Sequence, residues 1–414
     1  MSTSASKTEQ ARSFDTHAKQ VALRVRSAFG NILEALPGRV RRPHEVQRTL
    51  GIDKSLASKL VRLVEAKDPF QAGQHMPGTA AVGMFLSAAG SCVEAPLIEA
   101  AQQAVEEYQE LIDVHAGDRA SLAMMLAGHA TTGTERADLA HRKAAFKGMS
   151  YTWGVQARTQ LKAHFLHPSD DGQMVDMASL LGFVELRRIR PNVPWIISQV
   201  RLTDDDGQMR RASVRQRLDA DSAVDGSDQV PLLRKFCSKP LPRFRRVSSP
   251  GGFLEDELVE GPVGKTGAIS CFTSEVGRAI ATRYRDEHNR WAVLNARLHT
   301  PVETLVFDEF VHEDLFGPIA PELAVYSNLS GGPWFPQAGL HRHRLPVTAA
   351  VELLGKGPAV VYTPQISRYA EMVSYVYDKL GWDGERFDVY RAVVQFPPMP
   401  TCVALMHELP EAPG

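Results

Sequence analysis

The chain predicts an α+β multidomain protein: an N-terminal helical head, a helical linker layer, and a mixed α+β body with antiparallel strands. Three observations carry this reading. Up to about residue 170 the apolar residues recur at spacings of three and four, as helices require; from about Gln173 they fall into short runs broken by Asp, Gly and Pro, as strands require. At 414 residues the chain exceeds what one hydrophobic core usually organises, and boundaries are expected near 70 and 170. Strands clustered with few helices among them favour α+β over a regular βαβ wind. A hydrophobic content of 43% with 23% charged residues belongs to the globular class and excludes fibrous or largely disordered chains.

The head opens on Phe14, Val21, Val25, Phe29, Ile32, Leu33 and Leu36, an amphipathic helix stopped by Pro37-Gly38. From Arg41 to Arg62 the pattern gives two short helices divided by Leu50-Gly51-Ile52. A tight connection between crossed helices needs a left-handed backbone, which glycine adopts without a Cβ penalty. Val46 and Leu50 turn inward from the first helix, and Leu56, Leu60 and Val61 from the second. Lys54, Ser55, Ser58, Lys59 and Arg62 are left outward, a basic, hydroxyl-bearing face suited to phosphates and base edges.

This segment resembles the helix-turn-helix of bacterial transcriptional regulators, most closely, through Gly51-Ile52-Asp53-Lys54-Ser55, the multiple-antibiotic-resistance and isocitrate-lyase repressor families. The resemblance covers residues 41–62 and leaves the body unassigned. It implies binding to double-stranded DNA, with Lys54, Ser55, Ser58, Lys59 and Arg62 as the base-or-phosphate face and Arg41, Arg42 and Arg48 as backbone contacts. Gln47 stands where these families carry a small residue, and Ala57 where they carry valine or isoleucine. Beyond the motif, Lys67-Asp68-Pro69-Phe70, Gly73 and Pro77 give no alternating strands, so a wingless or reduced-wing variant is expected. Residues 1–67 hold 13 Lys and Arg against 6 Asp and Glu, a surplus of seven positive charges in a chain whose net charge is −1. That asymmetry is the footprint of a nucleic-acid-binding head on a neutral-to-acidic body. The competing reading is a helical hairpin packed inside the protein.

The linker layer shows one clear stripe, Leu97, Ala101, Val105, Tyr108 and Ile112, and a second long helix from about Glu135 to His167. Long amphipathic helices beside such a head supply either the surface for a homodimer or a purely intramolecular core, and the sequence does not separate the two. In the body, Phe183 to Leu186 and Trp195 to Leu202 read as strands, with Gln208 to Arg215 returning after an Asp-rich turn and a polar loop over 219–230. Glu303 to His312 and Glu322 to Ser327 are further strands. Tyr369 to Leu380 is a helix ended by Gly381, and Phe387 to Phe396 with Thr401 to His407 form a strand pair around Pro397-Pro398-Met399-Pro400.

No motif in the body names a reaction. Gly261-Pro262-Val263-Gly264-Lys265-Thr266 fails the spacing of a phosphate loop because Val259 stands at the first glycine position, and Glu255-Asp256-Glu257 makes a poor buried strand before it. Asp308-Glu309-Phe310-Val311-His312-Glu313-Asp314 reads as a solvated strand end, since Asp308 and His312 lie about 13 Å apart on a strand, too far to share an ion. His341, Arg342 and His343 form a basic loop suited to a small-molecule or anionic effector. Trp195, Trp334, Phe335, Trp382 and Tyr390 are candidate pocket aromatics. No metal or cofactor is called for. The four cysteines are scattered, and no leader or membrane-span run is present, which points to a cytoplasmic protein with reduced thiols. The function expected is a DNA-binding transcriptional regulator with a ligand-sensing or assembly body. Two other classes stay open: a cytoplasmic enzyme of unidentified class using the head as scaffold or docking module, and a protein–protein assembly subunit.

Overall fold

The computed structural model describes residues 13–38, 42–130, 134–201, 216–219, 230–249, 253–259, 261–287, 289–328 and 343–413. The chain is mixed α and β, and it groups into two compact units, Met1–Ala140 and His141–Gly414. No helix of the described residues is long and apolar enough to cross a membrane.

The first unit is helical: α1 (Phe14–Ala35), α2 (Pro43–Leu50), α3 (Lys54–Glu65), α4 (Pro69–Gln74), α5 (Thr79–Gly90), α6 (Ala95–His115) and α7 (Arg119–His129). The stripe expected on α1 is its buried face, from Val21 to Leu36, and α1 packs chiefly along α6. Helix starts are marked by aspartates: Asp53, Asp68 and Asp118 accept backbone N–H bonds at the first turns of α3, α4 and α7. One continuous core runs from Ala18 to Leu126, with Phe29 against Phe85 at 5.1 Å between ring centroids. The boundary expected near residue 70 therefore falls inside a single core, and α5 to α7 belong with the head instead of forming a separate linker layer.

The second expected boundary also moves. α8 (Thr134–Trp153) stops where the sequence pattern suggested a helix continuing to His167, and Val155–Pro168 is strand β1. Gly154 takes a left-handed conformation, φ +71°, and its carbonyl accepts from the N–H groups of Ile189 and Arg190. β1 is largely buried on both faces, and its apolar residues Val155, Ala157, Leu161, Ala163 and Phe165 alternate with polar ones, the period of a strand and not of the helix expected there.

Beyond β1 come β2 (Met174–Arg188), β3 (Trp195–Arg201), β4 (Gln216–Arg217), β5 (Phe244–Ser249), β6 (Phe253–Leu258), β7 (Ile269–Thr282), β8 (Trp291–Leu298), β9 (Val302–His312), β10 (Glu322–Ser327), β11 (Arg344–Leu345), β12 (Val351–Lys356), α9 (Tyr369–Leu380), β13 (Phe387–Gln395) and β14 (Thr401–Glu408). A seven-stranded sheet runs β12-β13-β9-β1-β2-β7-β4, antiparallel except where β9 lies parallel to β1. α9 covers one face, packing Tyr369, Met372, Val373 and Val376 against Leu161, Phe165 and Phe310. Leu305, Phe307 and Ala392 share a core with Ala296, Val403 and Leu405 of a four-stranded sheet, β11-β10-β14-β8. A small third sheet runs β3-β6-β5.

Gly381 ends α9 with φ +67°, as its position suggested. Two other expectations are corrected. β13 and β14 are both strands, but they sit in different sheets: β13 pairs with β9 and β12, and β14 with β10 and β8. The acidic run Glu255-Asp256-Glu257 is part of β6, where Arg246 holds Asp256 through bonds of 2.6 and 2.9 Å and Arg245 holds Glu257 at 2.6 Å. The return strand expected at Gln208–Arg215 lies outside the described residues, and β3 pairs with β6 instead.

Candidate nucleic-acid interface

α2 begins at Pro43, whose fixed φ suits a first helical position and whose missing N–H would have no partner there. The Glu45 carboxylate accepts from the Arg42 N–H at 2.9 Å, closing the first turn. Gly51 then reverses the chain at φ +65°, and Asp53 starts α3 by accepting from the N–H groups of Ser55 and Leu56 at 2.7 and 3.1 Å. Val46 and Leu50 of α2 are buried together with Leu56, Ala57, Leu60, Val61 and Leu63 of α3. Ala57 is completely covered, and Gln47 is half-buried.

The opposite side of α3 is open. Lys54, Ser55, Lys59 and Arg62 are exposed, Ser58 is half-buried, and Arg42 and Arg48 are exposed as well. Arg41 lies outside the described residues. Arg48, Lys54, Lys59 and Arg62 form no ion pair among the described residues. Residues 43–65 carry three carboxylates, and two of them, Glu45 and Asp53, are engaged at helix starts. The cations thus dominate the outer face by default. Burial and the nearby Arg62 guanidinium hold the His75 imidazole below its ordinary pKa. After α3 the chain enters α4, and between Glu65 and Trp153 the described residues contain no strand.

Most of the expected effector loop lies outside the described residues. His341, Arg342, Trp334 and Phe335 lie outside them, and His343 is half-buried just before β11. Trp195 is core, its indole N–H donating to Thr300 Oγ1 at 2.9 Å; Trp382 stacks on His167 at 4.7 Å. Tyr390 donates to the Ile319 carbonyl at 3.4 Å. Among the described residues, Trp195, Trp382 and Tyr390 belong to three different core clusters.

The acidic strand is the clearest correction. Asp308, Glu309 and His312 are buried, not solvated, because β9 is flanked by β1 and β13 and covered on both faces. Asp308 faces α9, where it accepts from Arg391 Nε and Nη2 at 2.8 and 2.6 Å and from the Tyr369 hydroxyl at 2.8 Å. Arg391 also donates to the carbonyls of Val361 and Tyr362, so this charge pair is closed on all sides. Glu309 faces the four-stranded sheet, fully buried, with neither oxygen hydrogen-bonded among the described residues. Its Oε1 lies 3.6 Å from His407 Nδ1. Burial pushes the Glu309 carboxyl up to about 8 and the His407 imidazole down to about 4, so both are neutral near pH 7. Beside them Gln160 and His164 of β1 contact the carbonyls of Arg297 and Asn295 at 3.1 and 3.2 Å, tying the exposed edge of β8 to the other sheet. Nothing local in the sequence announces these partners, which lie far along the chain.

Compared with protein families, curated proteins and solved structures, the chain matches none.

Proposed function

We propose that the protein is a DNA-binding transcriptional regulator that places α3 in the major groove of double-stranded DNA. The reading rests on the outward face of α3: exposed Lys54, Ser55, Lys59 and Arg62, without ion pairs among the described residues, on a helix whose other side is sealed into the core. Cations without ion pairs stay available to neutralise phosphates and release their counterions. The hairpin packed inside the protein requires this face to be covered. α3 has twelve residues and is therefore about 18 Å long, enough for its N-terminal half to reach base edges while Lys59 and Arg62 meet the backbone.

In this account Arg42 and Arg48 fix the head on the phosphates, with Arg41 completing the set, while Lys54, Ser55 and Ser58 carry the sequence reading. One such helix spans few base pairs, so two heads of a homodimer on half-sites about one helical turn apart supply the affinity. The second unit is the ligand-sensing or assembly body, and the protein acts in the cytoplasm. Fluorescence anisotropy of the full chain with a mixed-sequence duplex tests the reading. Binding that weakens linearly in log affinity against log salt is expected. A chain that is folded yet shows no salt-sensitive binding would remove it.

A further inference from the structure

Away from the α2–α3 face, the first unit gathers three histidines where the first turn of α1 meets the last turns of α6 and α7. His17 Nδ1 and His115 Nε2 lie 3.0 Å apart, although the two residues are 98 positions apart in the chain. Their rings meet edge-on at 5.2 Å, and both are half-buried. Phe14 makes edge contacts with His115 at 5.5 Å and with His129 at 5.1 Å, walling this corner with aromatic surface. His129 turns its own Nδ1 to the Met125 carbonyl at 2.9 Å.

We propose that His17 Nδ1 and His115 Nε2 bind one borderline divalent cation, zinc, nickel or copper(II), with water completing its shell. Metal–nitrogen bonds of about 2.0–2.1 Å set two ligand nitrogens about 2.9 Å apart at a right angle and about 3.3 Å apart at the tetrahedral angle. The observed 3.0 Å falls between these values. Without metal, the same contact is a hydrogen bond between neutral imidazoles, one nitrogen donating its N–H and the other accepting. Each neutral ring carries a single N–H. Moving the shared proton to the far nitrogen of its own ring leaves two lone pairs facing the ion, with no net change in protonation. Imidazole nitrogen suits borderline transition metals and not magnesium or calcium, which take oxygen ligands. Among the described residues no group of three or more ligating side chains could hold a metal. The pair is therefore a two-donor clip, weaker than a closed structural zinc site. Its ion joins the start of α1 to the end of α6, and because the unfolded chain does not hold these rings together, binding stabilises the folded state.

The test uses the full chain without an affinity tag, thermal unfolding, and zinc, nickel or copper(II) salts alone. The unfolding temperature is expected to rise by a few degrees, to saturate at one ion per chain, and to fall back with EDTA. The rise is expected to vanish in His17→Gln and in His115→Gln, to persist in His44→Gln, and to be absent with magnesium. The copper(II) spin-resonance spectrum of the unmutated chain supplies a readout independent of whether a variant folds; two nitrogen ligands are expected. An all-oxygen spectrum, no saturable rise with any of the three ions, or an equal rise in a folded His115→Gln would overturn the proposal.

Discussion

At the scale of single residues, Glu309 and His407 show how burial decides protonation. The folded carboxyl is raised from an ordinary value near 4.5 to about 8, so its contribution to stability is fully present below pH 4.5 and is lost as pH rises through 8. The folded imidazole is lowered from 6.5 to about 4, so its contribution is present above pH 6.5 and is lost as pH falls through 4. The two oppose each other, and substituting one exposes the other. In urea unfolding, Glu309→Gln is expected to lack most of the decline between pH 5 and 8 expected of the parent chain, a difference on the order of a few kcal/mol at the alkaline end. Parallel pH profiles for the two chains would contradict it. The sequence pattern suggests a solvated strand end because five titratable groups stand among seven residues. What the sequence could not supply was the partners: Arg391 for Asp308 and His407 for Glu309 come from β13 and β14, each more than eighty positions away.

At the scale of elements, α1, α2, α3, α6 and α9 were legible because each keeps one apolar face and one wet face, and because Gly51 and Gly381 mark their ends. β1 is expected as the end of a helix, although Val155, Ala157, Leu161, Ala163 and Phe165 alternate with Gln156, Arg158, Gln160, Lys162 and His164, the period of two that marks a strand. Within the α2–α3 pair the two faces of α3 make opposite predictions. Leu60 is completely buried, so Leu60→Ala is expected to cost about 2–5 kcal/mol. Lys59 is exposed and unpaired among the described residues, so Lys59→Ala is expected to change stability by no more than about 0.5 kcal/mol. Thermal unfolding of the two variants side by side checks both. If Lys59→Ala unfolds the protein as severely as Leu60→Ala, the helix is covered and the groove-binding account fails.

At the scale of the whole molecule, the α+β class followed from the change of periodicity near residue 170, but the domain boundaries did not. Helical patterns on either side of residue 70 look alike, and only packing shows that Phe29 shares its core with Phe85, Tyr108 and Leu111. A chain cut after residue 70 would expose that core, and circular dichroism is expected to show it largely unfolded, whereas a chain ending near 130 keeps α1 to α7; a cooperative thermal transition in the shorter fragment would contradict this. The charge surplus of the head was legible, and so was the outward set on α3; that two nearby carboxylates are engaged at helix starts was visible only in the fold. The central claim is that this set meets DNA phosphate. It is tested most directly by the salt dependence of duplex binding for the intact chain and for the combined Lys59→Ala and Arg62→Ala variant. The account predicts weaker binding and a log–log slope shallower by about 0.9 for each phosphate no longer neutralised, so by about 1.8, with thermal stability nearly unchanged. An unchanged slope and affinity in the folded variant would contradict it.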